Sequence, residues 1–191
     1  MNVPEDMVIV GVDEAGRGPL AGPVVAAAVI FNKDQIPDGL MDSKKISEKK
    51  REKLYDEIIA KAKAYAISSA SVEEIDSLNI LQASLLAMKR SVDKLNVDFD
   101  IVLVDGNKLP VWGYPSEAIV KGDSKIKEIS AASILAKVYR DRLMLELDKY
   151  YPEYLFPQHK GYPTKQHIEK ISQHGVLNIH RKSFKPVREL L

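Results

Sequence analysis

Three short apolar runs in this chain each end in a carboxylate, and that repetition constrains the fold more than any other feature. Val8–Val12 leads into Asp13 and Glu14, Ile101–Val104 into Asp105, and Ala118–Lys121 into Gly122 and Asp123. Short apolar runs bounded by turn residues read as buried strands. A carboxylate closing such a strand is carried to the edge of the core, and strand ends that are neighbours in one sheet collect their acids in one crevice. Paired acids there repel and lose hydration, so they need a compensating positive charge. Arg17 is the nearby candidate in sequence, and a divalent metal is the other. A plainer reading exists for two of the motifs. Asp105-Gly106 is ordinary turn chemistry, and Asp123 lies where a helix cap would.

With no cysteine or histidine in these motifs, the four carboxylates form a hard-oxygen donor set. Such a set suits Mg²⁺ or Mn²⁺ and fits Zn²⁺ poorly. Two such ions about 3.5–4 Å apart can activate a water and stabilise the leaving oxygen of a phosphodiester. Next to the first pair of acids lies a glycine loop, within GVDEAGRGPLAGPVV (Gly11–Val25). Pro19 and Pro23 exclude regular helix there, so the apolar runs on either side, Val8–Val12 and Val24–Phe31, pair most simply antiparallel. Backbone N–H groups exposed in such a loop can meet a phosphate or a sugar hydroxyl.

The remaining elements follow from local signals. Ser47 caps a helix running to about Ala64, with Leu54, Ile58 and Ala62 on one face. Ala64–Val72 is a small-residue strand, Ser71–Glu74 a capping box, and Asn79 the cap of a helix whose seam is Leu81, Leu85, Met88, Val92 and Leu95. Asp100–Asp105 and Ala118–Lys121 are strands. A long helix spans Lys125–Lys149 and carries a small-residue patch at Ser130–Ser133 and Ala136. Thr164–His174 is a last helix stopped by Gly175. Strands linked by helices after an initial pair predict a mixed α/β sheet with helices on its faces, followed by a helical tail.

Composition narrows the setting. The chain has 191 residues, 45% of them hydrophobic, and no cysteine, which excludes disulfides, thiolate metal sites and cysteine nucleophiles. No apolar run approaches the ~20 residues of a membrane span, and the N-terminus lacks the basic start of a secretory signal. The expectation is a cytoplasmic monomer without membrane contact. The net charge of +1 conceals two basic zones. Lys44–Lys53 holds six basic residues against two acidic, and Gln158–Arg188 seven against one. The first reads equally as a solvated helix face. The second interleaves aromatics and all four histidines with its charges, and the two together point to a polyanionic partner.

Several stretches, in order, resemble bacterial ribonuclease HII, the type 2 ribonuclease H family. They are GVDEAGRGPLAGPVV at 11–25, DSKK at 42–45, LNILQAS at 78–84, VDGN at 104–107, KGDS at 121–124, ISAASILAKVYRD at 129–141, QHKGYPT at 158–164 and HRKSF at 180–184. The resemblance implies a ribonuclease H-like mixed sheet flanked by helices over 1–150, with a helical C-terminal region over 151–191 packed on it as one unit. It implies that Asp13, Glu14, Asp105 and Asp123 bind Mg²⁺ or Mn²⁺ and are catalytic. It assigns Gly16, Arg17 and Gly18 to the loop that recognises a ribose 2′-hydroxyl, and Tyr162 to the ring that stacks on the next deoxyribose. The implied substrates are RNA/DNA hybrids and duplex DNA containing single ribonucleotides, cut on the 5′ side of the ribonucleotide to leave 3′-hydroxyl and 5′-phosphate. Lys44, Lys45, Arg181 and Ser183 are candidate phosphate contacts. From residue chemistry alone, Tyr162 reads as a half-buried core tyrosine and the histidines as structural. The rival readings are another ribonuclease H-like nuclease of the junction-resolvase type, and a non-catalytic nucleic-acid-binding domain.

Overall fold

A computed structural model describes residues 7–40 and 45–191. Strand β1 (Ile9–Ala15) is antiparallel to β2 (Val24–Phe31), and β2 to β3 (Ala62–Ala70). On its other edge β1 is parallel to β4 (Ile101–Asp105), which is parallel to β5 (Ser116–Ile119). The sheet order is therefore β3-β2-β1-β4-β5. Every residue of β2 is buried, because helices cover both faces. Helices α1 (Glu48–Lys61) and α4 (Lys127–Asp148) lie on one face; α2 (Val72–Leu78) and α3 (Ile80–Asp93) lie on the other.

Local chemistry sets the helix ends. The Ser47 hydroxyl accepts from the Lys50 amide, and Ser71 and Glu74 form a reciprocal capping box. Asn79 ends α2 and starts α3, accepting from Gln82 N–H with its own φ at +73°. Such a positive φ is tolerated by asparagine better than by most residues. Past α4 come three short helices, α5 (Phe156–His159), α6 (Lys165–His174, capped by Thr164 and ended by Gly175) and α7 (Lys185–Arg188). A third apolar cluster joins them to the rest through Leu20, Ala21 and Met144, against Tyr154, Phe156 and Ile171. No helix among the described residues is long and apolar enough to cross a membrane.

Three expectations shift. β1 continues through Asp13 and Glu14, because the ladder to β2 extends to the Ala15–Val25 pair. β5 starts and ends two residues early, so Asp123 follows a left-handed Lys121 (φ +56°) and sits in a 3₁₀ turn; Ile126, not Asp123, precedes α4. The stripe of α3 that faces the sheet is Ala83, Ala87, Met88 and Val92, while Leu81 and Leu85 are only partly buried. Ala26 and Ala28 of β2 offer little bulk on that face, so small helix residues give the closer packing.

The backbone of α4 packs directly on β1 at Gly11. A Cβ on Gly11 of β1 would lie 2.1 Å from the Glu128 carbonyl carbon. The obstacle is helix backbone, which cannot rotate away. Gly11→Ala should therefore destabilise the protein by about 1–3 kcal/mol or more, read as a lowered urea midpoint at unchanged slope. A loss within about 0.5 kcal/mol, the ordinary surface range, would show that α4 can shift freely.

Candidate active site

The parallel register of β1 and β4 aligns their acidic ends. Val12 pairs with Val104, so Asp13 and Asp105 each follow by one residue at the same sheet edge. Alternation then divides the acids between faces. Asp13 pairs with Ala27, whose side chain packs on the α4 side, and Glu14 with Ala26, which packs on the α3 side. Asp105 falls on the Asp13 face. Asp13 is 5% exposed and accepts from the Glu14 amide (2.7 Å) and from the Ser133 hydroxyl of α4. Burial pushes its carboxyl well above the usual range, and the charges of Glu14 and Asp105 push it further. Burial likewise raises Glu14, while Arg17, 3.5 Å away, draws it back. Burial is thus the larger cause of both shifts, and repulsion between the acids adds to it.

Asp13, Glu14 and Asp105 line one cavity of about 260 Å³ with Gly16, Arg17, Gly18 and Tyr162. Asp123 does not line it. It borders a second cavity of about 340 Å³, which the exposed Lys45 also lines. Asp123 is tied to the others through its neighbour: the Gly122 N–H donates to Asp105 Oδ1 at 2.6 Å. Among the described residues no three Asp, Glu or His side chains converge into a closed metal cage. The donor chemistry still fits a hard divalent ion, since Mg²⁺ is usually held by one or two carboxylates, with waters and substrate phosphate completing its shell. Asp13, Glu14, Asp105 and Asp123 are the residues available to hold it.

The glycine loop is held from behind by two arginines. Arg181 is fully buried and donates to the carbonyls of Gly16 (2.6 Å), Arg17 (2.9 Å) and Gly22 (2.9 Å). Arg140 of α4, 1% exposed, donates to Ala21, Pro23 and Lys160 carbonyls at 2.9–3.1 Å. Gly16 has φ +94°, and a Cβ there would lie 2.1 Å from Arg140 Nε. Its glycine identity is thus required by the loop itself. This corrects the expectation for Arg181, which has no exposed donor to offer a phosphate. Ser183 is corrected similarly: it is exposed, but its hydroxyl and amide both bind the Asp76 carboxylate. Lys44 lies outside the described residues.

Tyr162 stands opposite the loop. Its ring is close enough that a Cβ on Gly18 would be 3.6 Å away, and the residue is 39% exposed. A hydrogen-bonded histidine chain supports its backbone. The Leu177 N–H donates to His180 Nδ1, so His180 carries its proton on Nε2 and donates to His167 Nε2 at 3.2 Å. His167 then donates through Nδ1 to the Tyr162 carbonyl at 3.0 Å. Burial holds His167 and His180 neutral, their pKa values lowered to about 4. None of the three buried histidines faces the acids; His159 stacks on His167 and bonds the Gly161 amide.

Sequence reasoning did not single out Arg51, Ser133 and Lys137, which also line the cavity. Ser133 and Lys137 lie four apart on α4, a spacing that puts both on one helix face. Lys137 Nζ pairs with Asp141 at 2.8 Å and lies 5.7 Å from the Tyr162 ring centre. Arg51 read equally well as solvated helix surface.

Acids closing the parallel strands of a five-stranded mixed sheet, with helices on both faces, define a ribonuclease H-like nuclease. The ribonuclease HII family model matches residues 10–187. A ribonuclease HII of Francisella tularensis subsp. tularensis (strain WY96-3418) is 65% identical over 185 residues, covering 97% of this chain and 99% of that protein. The ribonuclease HII of F. tularensis subsp. novicida (strain U112) is equally similar, over 97% of this chain and 100% of its own. Ribonuclease H2 from Pyrococcus horikoshii OT3 superposes with a TM-score of 0.80 at 28% identity, covering 96% and 97% of the two chains. Bst-RNase HIII in complex with Mn²⁺ shares the fold at a TM-score of 0.83 and 16% identity, over 96% of this chain and 69% of that one. The chain belongs to the ribonuclease HII family and is a hydrolase with RNase H endonuclease function.

The histidine chain gives a direct test of the C-terminal geometry. His167 should appear in long-range ¹H–¹⁵N spectra as the Nδ1–H tautomer and His180 as Nε2–H, both still neutral at pH 5.5. The sign follows from burial: an ordinary histidine, titrating near 6.5, would already be mostly charged there, whereas these protonate only near pH 4. Two imidazolium signals at pH 5.5 would mean that the chain is not formed.

Proposed function

We propose that the chain hydrolyses the phosphodiester on the 5′ side of a ribonucleotide, in RNA/DNA hybrids and at single ribonucleotides within duplex DNA. The products are a 3′-hydroxyl and a 5′-phosphate. The observation that carries this reading is that three carboxylates, the Gly16–Gly18 loop and the aromatic Tyr162 line one cavity of about 260 Å³. A nuclease blind to the sugar would need only the first of these.

Each group has a task that its surroundings suit. Asp13, Glu14, Asp105 and Asp123 hold Mg²⁺ or Mn²⁺. Bound there, two such ions supply water activation and stabilisation of charge on the phosphodiester oxygens. The carboxylates at the sheet edge are kept rigid by strand pairing, and Ser133 and the Glu14 amide orient Asp13. Gly16 and Gly18 carry no side chain, which lets a ribose approach the loop backbone closely. The 2′-hydroxyl they would contact is the group that separates RNA from DNA at one position. Tyr162 stacks on the following sugar, whose flat face is available when it lacks that hydroxyl. Lys45, exposed beside Asp123, and Lys137 supply positive charge for flanking phosphates.

Duplex DNA with one ribonucleotide, incubated with Mg²⁺, Mn²⁺ or EDTA, tests the reading. Cutting on the 5′ side of the ribonucleotide is expected with metal only; cleavage of all-DNA branched substrates, or binding without cleavage, would overturn it. Asp13→Asn should lower kcat by about 10³-fold or more while duplex binding is largely kept. A fully active Asp13→Asn enzyme would remove this residue from the chemistry. Tyr162→Ala should impair cutting at a lone ribonucleotide more than in a long hybrid, and equal loss on both would make the tyrosine structural.

A further inference from the structure

Arg181 touches neither the cavity nor solvent, yet its guanidinium binds the two carbonyls nearest the recognition loop's tip. In a trans peptide the C=O of one residue and the N–H of the next lie in one plane and point in opposite directions. Capturing the Gly16 carbonyl therefore turns the Arg17 N–H away from Arg181. Capturing the Arg17 carbonyl does the same for the Gly18 N–H. Both residues line the cavity on the loop's other side. Among the described residues neither amide has a hydrogen-bond partner within the protein. A carbonyl bonded to a cation also polarises its own peptide, so the outward N–H becomes a stronger donor.

From these contacts we infer that Arg181 is a positioning residue for ribose discrimination, aiming and polarising the Arg17 and Gly18 amides from behind the loop. The inference rests on the proposed reading in which those amides meet the 2′-hydroxyl. Arg140 holds the far end of the loop through Ala21 and Pro23, and its third bond, to Lys160, ties the loop to the segment that carries Tyr162. Two further contacts close the frame: the Leu20 N–H donates to Gly161 O at 2.7 Å, and the Arg181 N–H to Leu20 O at 2.7 Å. Lysine cannot replace Arg181, because a single ammonium lacks the planar fork that reaches carbonyls of Gly16, Arg17 and Gly22 together.

Arg181→Lys is the informative variant, since it keeps the charge and most of the volume. Three measurements are made on the intact protein: thermal unfolding, the amide resonances of Arg17 and Gly18, and affinity for duplex DNA with and without one ribonucleotide. The expected result is a folded protein whose Arg17 and Gly18 amide signals move while those of β1 and α4 stay. Its preference for the ribonucleotide duplex should fall by about 10- to 100-fold, the usual effect of misplacing a contact by about 1 Å. All-DNA affinity should be unchanged. Unmoved amide signals, or equal loss of affinity for both duplexes, would overturn the inference. If the wild-type protein itself shows no preference for the ribonucleotide, the proposed function has failed instead, and the amide shifts alone decide whether Arg181 orients the loop. Should Arg181→Lys unfold, 2′-hydroxyl preference in Arg181→Gln decides: a retained preference overturns the inference and a lost one, at unchanged all-DNA affinity, supports it.

Discussion

Two buried guanidiniums bonded only to backbone carbonyls hold this molecule's functional edge together. Among the described residues neither Arg140 nor Arg181 forms a salt bridge with a carboxylate. Burial lowers their pKa values to about 10 and about 9, which leaves both charged at neutral pH. An unpaired buried charge is costly unless hydrogen bonds replace its lost hydration. Here the replacements are carbonyls of Gly16, Arg17, Ala21, Gly22, Pro23 and Lys160. The dependence is mutual. A loop with two prolines and several glycines cannot bond its own carbonyls as a helix or strand does, and each one left buried and unbonded would cost about 1–3 kcal/mol. The two arginines therefore bond the loop both to α4 and to the C-terminal segment.

The second organising constraint is that β1 is shared by the antiparallel and parallel halves of the sheet. The turn to β2 leaves from the end of β1 at which β4 and β5 also end. Loop and acids consequently meet at one edge, and no long-range rearrangement is needed to bring recognition next to chemistry. Because Asp13 and Glu14 are consecutive strand residues, they also reach opposite faces. Asp13 looks toward α4 and Ser133, whereas Glu14 also borders a cavity of about 260 Å³ on the α3 side with Ser84 and Met88. Burial is the main cause of the raised Asp13 carboxyl, and the Glu14 charge still adds to it despite this separation.

Much of the framework was legible because it rests on local chemistry. Ser47, Ser71 with Glu74, Asn79 and Thr164 cap helices where their side chains satisfy backbone N–H groups a few residues away. Elements whose placement depends on distant partners were read less well. The buried stripe of α3 centres on Ala83 and Ala87 rather than on its leucines, because alanines of β2 leave no room for larger side chains. Asp123 reads as one more strand-end acid, whereas the backbone of Lys121 and Gly122 places it on a 3₁₀ turn that borders a second cavity. Arg181 lies in a basic tail, where the sequence alone makes it a candidate phosphate contact. Its burial depends on Gly16, Arg17 and Gly22, more than 150 positions away in the chain.

By itself the sequence determined the strand–acid pattern, the helix ends, the all-oxygen donor set and the family, because each is a matter of residue type at short spacing. The tertiary structure alone decided which acids share a cavity, which basic residues line it and which brace the loop. Those outcomes follow from sheet order and from burial. Both are set by contacts between segments far apart in the chain, which no local pattern records.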